Sequence, residues 1–270
     1  MSRLFTFGCS FTFWPWPTWA DIIAHELNIP YYNWGLPGIG NVSIHTRMLE
    51  CELRHGFNED DIILAVWSTW GREDRYNVKT TRLDRPGWSS TGDVLHTYSK
   101  NFIDSYWSVS NDLMKNSTAI ISANRMFDVK FNGHISTPLI NLHNDDTLKF
   151  DDTEKEVALF YEDYIPNDGE YDPKKHSCNY QSINDSHPDI LSHLNYVIEY
   201  ICPKLNMTLS NKTVDFFTGM HYHLSDFTTN FENATQNIMT NSPSKHWATL
   251  APKVLEAYGW QNANQKLRGF

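Results

Sequence analysis

Cysteine is scarce in this chain, with four residues among 270, at positions 9, 51, 178 and 202, and none in a CxxC or zinc-ligand spacing. That excludes a disulfide framework and a structural metal centre as organising principles, and the four side chains read as thiols. Cationic residues are scarce too: 22 Lys and Arg stand against 32 Asp and Glu, for a formal charge of -10. Without a basic run there is nothing to displace counterions from nucleic acid or to grip an anionic membrane, so neither is an expected partner. No segment reaches the roughly 18 consecutive apolar residues of a membrane span, and the start MSRLFTFGCSF has no leader-like apolar core. The expected product is soluble, without a signal peptide, and cytoplasmic by default. Phosphate-loop fingerprints are missing as well, since neither a GKS/T ending nor a full GxGxxG spacing occurs.

Aromatic residues, by contrast, are plentiful. Ten Trp, 13 Tyr and 15 Phe within a 40% hydrophobic composition rule out wholesale disorder, while a mean hydropathy of -0.49 marks a chain rich in polar loops. Arg3–Gly8 reads as an opening strand. Thr18 caps a predicted helix to Leu27, with Trp19, Ile22, Ile23 and Leu27 on one face. Tyr31–Trp34 is a second strand, and Asn41–His55 a helix that Gly56 terminates. The apolar run from Asp61 to Trp67 has the character of a strand buried on both faces of a parallel sheet. A helix is predicted over Asn101–Lys115, a buried strand over Thr118–Ser122 and a last core helix over Asp189–Ile201. This alternation predicts a three-layer α/β/α fold around a mainly parallel, doubly wound sheet, in which ligands bind at the carboxyl ends of the strands.

Two stretches, Tyr76–Lys100 and Asn124–Ser182, are too long for simple connections and read as lids or cleft walls. Residues 1–203 form the predicted domain. Residues 204–270, with helical patterns near Phe231–Met239 and Lys245–Tyr258, form a C-terminal extension, packed on the core or used in a homo-oligomer or larger assembly.

Three stations carry chemistry. Phe7-Gly-Cys-Ser10-Phe places a serine at the carboxyl end of the first strand. Asn33-Trp-Gly-Leu-Pro-Gly38-Ile-Gly-Asn41 follows a strand and opens a helix, so its N–H groups can face an anion or simply make a tight turn. Asn184-Asp185-Ser186-His187-Pro188 sets an imidazole and a carboxylate at a helix entrance, where they can act as a dyad or merely cap.

In order and interval these stations resemble the serine, glycine and Asp-His blocks of the SGNH/GDSL hydrolases, over roughly Arg3 to Ile201. The resemblance implies an SGNH, flavodoxin-like sheet with Ser10 as nucleophile, His187 as general base and Asp185 orienting that base. It also implies an oxyanion hole from the N–H groups of Ser10 and Gly38. Three positions depart from the family: Cys9 replaces an Asp, Asp185-x-His187 is shortened and leaves Asn184 at the usual spacing, and the Gly-x-Asn-Asp block reads Ser68-Thr-Trp-Gly71. A hydroxyl of Ser68 or Thr69 then takes the place of the missing Asn donor. Trp70, Arg72 and Asn41 are candidate substrate-binding residues, although arginines placed like Arg72 and Arg75 more often pair with neighbours such as Glu73 and Asp74.

The implied activity is carboxylic ester hydrolysis through an acyl-enzyme, acting on a small-molecule or polysaccharide ester, with an O-acetylated carbohydrate favoured and no cofactor or metal required. The altered oxyanion block supports a second reading, a catalytically silent glycan-binding or structural module of a larger assembly such as a virus particle.

Overall fold

The computed structural model describes residues 1–77, 87–93, 99–106, 108–135, 152, 156, 160–161, 163–172, 187–235 and 243–260. In chain order its strands are β1 (Leu4–Gly8), β2 (Tyr31–Asn33), β3 (Ile62–Trp67), β4 (Arg72–Asn77), β5 (Gly87–Asp93), β6 (Val129–Ile135) and β7 (Gly169–Tyr171). The helices are α1 (Trp19–Leu27), α2 (Asn41–His55), α3 (Lys100–Tyr106), α4 (Val109–Met126), α5 (Ile190–Tyr196), α6 (Asn211–Thr235) and α7 (Pro243–Ala257). Helix α5 runs on through a π-helical turn (Val197–Ile201) into a last turn at Cys202–Lys204.

Five strands form one parallel sheet in the order β2-β1-β3-β6-β7. β1 is buried along its whole length, as a strand flanked by neighbours and covered on both faces must be. Helix α1 packs with α5 and α6, whereas α2 packs with α4. Right-handed crossovers put these two groups on opposite faces of the sheet, which gives a three-layer α/β fold. β4 and β5 stand apart as an antiparallel pair. Phe217, Met220, Leu224, Ala251, Leu255 and Trp260, from the last third of the chain, belong to the same buried cluster as Phe5, Phe7 and Trp67. Among the described residues no helix is long and apolar enough to cross a membrane.

Local chemistry sets the boundaries. Thr18 and Asp21 form a capping box at the start of α1, and Asn28 closes that helix with a left-handed φ of 49°. Gly56 ends α2 with φ 59°. Cys9, Cys51 and Cys202 are buried free thiols, and Cys178 lies outside the described residues.

The structure corrects the sequence reading in four places. Thr118–Ser122 is not a strand but the middle of α4. Its buried neighbours Leu113, Asn116, Ser117, Ile120 and Ala123 recur at intervals of three and four, which a five-residue apolar run cannot reveal. The helix read over Asn101–Lys115 is two helices, broken where Ser108 caps α4 by accepting from the Asn111 N–H at 3.1 Å. The strand that follows is β6, inside the stretch read as a cleft wall. It is disguised by buried polar residues: Asn132 accepts from Trp67 Nε1 at 3.0 Å, and His134 Nε2 lies 2.8 Å from the Pro166 carbonyl. In the last part of the chain, α6 begins well before the pattern at Phe231.

Candidate active site

The chain winds to one side of β1 through α1 and β2, then crosses to the other side at β3. The carboxyl ends of β1 and β3 therefore flank a topological switch point, the place where open α/β sheets keep their ligands. Ser10 follows β1 and Ser68 follows β3. The turn after β1 is tight because residue 8 lacks a side chain: a Cβ at Gly8 would collide with Thr12 Oγ1 and approach the Val66 carbonyl to 2.7 Å. The N–H groups of Thr12 and Phe13 both donate to the Cys9 carbonyl, at 3.0 and 3.2 Å, and fold the loop back over the strand end. Ser10 is only 3% exposed, and its hydroxyl points to Cys9 Sγ at 3.9 Å. Among the described residues neither the Ser10 N–H nor the Gly38 N–H donates a hydrogen bond, and none joins the Ser10 hydroxyl to His187.

His187 comes from the far side of the sequence onto this same loop. Its imidazole stacks on Trp14, with ring centroids 3.5 Å apart and planes at 19°, and meets Phe11 edge-on at 5.6 Å. Buried Trp16 fixes the next residue, its Nε1 donating to the Pro188 carbonyl at 2.8 Å. Asp185 and Asn184, the two candidates for orienting His187, lie outside the described residues.

The glycine block is bound to both neighbours. Asn33 accepts from the Gly35 N–H at 2.8 Å and donates to the Thr12 carbonyl at 2.8 Å, tying this loop to the serine loop. Gly38 turns the chain with φ 84°. Gly40, at the N-cap of α2, has no side chain to satisfy the helix's first N–H groups, and Asp74 of β4 does so instead. Its two oxygens accept from Gly40 and Ser43 at 2.7 and 2.9 Å. The anion at this helix terminus is thus the protein's own carboxylate. Arg72 Nη1 donates to the Ile39 carbonyl at 3.0 Å, so this arginine braces the glycine block; the Arg75 side chain lies outside the described residues.

The amide of Asn41, 2% exposed, grips the end of β3 like a fork. Its Oδ1 accepts from the Ser68 N–H at 2.7 Å, and its Nδ2 donates to the Ser68 carbonyl at 3.0 Å and to Asn116 Oδ1 at 2.8 Å. Asn116 in turn donates to the Trp70 carbonyl at 2.9 Å. With its N–H consumed, Ser68 retains a buried hydroxyl that has no hydrogen-bond partner among the described residues. Behind the serine loop, burial pushes the Asp21 carboxyl up to about 6, against the opposing pull of hydrogen bonds from Thr18.

No protein-family model matches the chain, and no curated protein matches it. Among solved structures it is similar to an acetyl xylan esterase from the rumen bacterium Butyrivibrio proteoclasticus, at 13% sequence identity and a TM-score of 0.39 over 76% of this chain. The chain spans 64% of that protein's length. The assignment of the fold rests on the sheet order itself.

Trp14, Trp16 and Asn116 escaped the sequence reading, as did the role of Asp74, there a partner for arginine, as the cap of α2. The Trp-Pro-Trp-Pro run directly behind the serine block was a signal for the first two. A helix starting on glycine, which must borrow its cap, was a signal for Asp74.

Proposed function

We propose that this protein is a serine ester hydrolase of the SGNH/GDSL type, acting through an acyl-enzyme. The observation that carries the reading is the docking of His187 on the loop that Ser10 opens at the switch point. Ser10 Oγ attacks the acyl carbon while its proton passes to His187, with Asp185 orienting the imidazole. The N–H groups of Ser10 and Gly38 and the unpartnered hydroxyl of Ser68 are the donors for the tetrahedral oxyanion, each worth about 3 kcal/mol. His187 then protonates the departing alcohol and activates water against the acyl-enzyme. The half-buried ring of Trp14 beside the loop, with that of Trp70 past the end of β3, suits a carbohydrate face, and an O-acetylated carbohydrate is the favoured substrate.

One observation favours a second reading, a silent glycan-binding or structural module: the Ser10 hydroxyl is nearly covered and turned to Cys9. A fluorophosphonate probe separates the two. Labelling of the wild type that is lost in Ser10→Ala supports the hydrolase, whereas no labelling and no turnover across a panel of acetyl esters supports the module.

A further inference from the structure

A face-on stack fixes the plane of an imidazole without using its nitrogens, because their protons and lone pairs lie in that plane at the ring edge. Trp14 makes such a stack with His187. The indole face also carries the negative lobe of an aromatic quadrupole, so its attraction to the imidazole grows when that ring becomes a cation. Trp16 stiffens the arrangement, edge-to-face with Trp14 at 6.0 Å and hydrogen-bonded to the Pro188 carbonyl. Pro15 and Pro17 restrict the backbone on either side.

We propose that Trp14 is a positioning residue for the base. Its stack holds the His187 imidazole over the serine loop and favours the imidazolium that forms during acyl transfer. This rests on the serine-hydrolase reading. As the bond from Ser10 Oγ to the acyl carbon forms, the hydroxyl proton moves to His187. As the ester C–O bond breaks, the same proton leaves with the alcohol, and the indole is unchanged throughout. Nucleophile and base are then set by one stretch, residues 10 to 16, rather than by the orienting acid alone.

The test compares the wild type with Trp14→Leu and Trp14→Phe, reading the rate of fluorophosphonate labelling and the kcat and KM for an acetyl ester. A cation–π contact between half-buried rings is worth roughly tenfold in rate, so Trp14→Leu should lower kcat and labelling about tenfold with KM little changed. Trp14→Phe, which keeps an aromatic face, should recover most of that loss. Labelling of Trp14→Leu at the wild-type rate, an effect confined to KM, or equal losses in both variants would overturn the proposal. If the wild type shows no Ser10-dependent labelling, the hydrolase reading fails on its own, and the stack is read instead by carboxyethylation of His187 with diethyl pyrocarbonate, located by mass spectrometry. Faster modification in Trp14→Phe or Trp14→Leu than in the wild type supports the grip of Trp14, and equal rates overturn it.

Discussion

Ser68 divides its polar groups between two tasks. Its backbone is clipped by Asn41, and its buried hydroxyl is left without a partner. Removing that hydroxyl breaks no hydrogen bond among the described residues, so Ser68→Ala should melt within a few degrees of the wild type, while the loss of the proposed oxyanion donor should lower kcat about a hundred- to a thousandfold. Steady-state kinetics alongside a thermal melt checks both halves. Asp21 shows the opposite economy, a carboxyl retained where burial raises it from 3.8 to about 6. The folded state then binds this proton more tightly than the unfolded chain does. The stabilising contribution is complete below pH 3.8 and is lost as pH rises through about 6, a span worth about 3 kcal/mol. Asp21→Asn should therefore gain stability over the wild type at pH 7 and lose that advantage near pH 4, as followed by urea titration across the range. The places of Ser10 and Ser68 at strand ends and of His187 at a helix entrance were legible in the sequence, because such boundaries advertise themselves by pattern. Their partners were not: Asp74, Asn116 and Trp14 reach the site through contacts between elements, and local spacing carries no record of those.

The start of α2 is the junction where elements lock together. Asp74 caps it from β4, Arg72 braces the preceding carbonyl, and Gly40 leaves room for both, since a Cβ there would lie 2.7 Å from Asp74 Oδ2 and 3.0 Å from Arg72 Cβ. Asp74→Ala removes a cap and a favourable charge at the helix terminus, for an expected loss of about 1–2 kcal/mol in a denaturant titration. Because the same contact fixes Gly40, two residues past the Gly38 turn, kcat should fall further than the stability loss explains. Gly40→Ala should mimic this effect by pushing β4 away. At this scale the sheet was readable wherever strands were apolar, as in β1 and β3. It failed for β6, where Asn132 and His134 are buried behind hydrogen bonds, and for α4, whose short apolar run has the look of a strand.

Across the whole molecule the last helices are part of the core. α6 lies on α1, where His25 stacks on Phe216 at 4.9 Å and hydrogen-bonds Thr213 at 3.0 Å, and Ser210 donates to Glu26. Leu255 is fully buried, so Leu255→Ala should cost about 2–5 kcal/mol in a chemical melt. A chain cut after Lys204 should bind a hydrophobic dye and lose near-ultraviolet circular dichroism, because the faces sealed by Phe217, Met220 and Leu224 would meet water. The closure of α1 by α6 also has a consequence for biosynthesis. The serine loop leads straight into α1, which is translated well before the helix that closes it. On the ribosome that segment must wait, shielded or exposed, and the closed state of α1 should appear abruptly once α6 has emerged rather than growing with chain length.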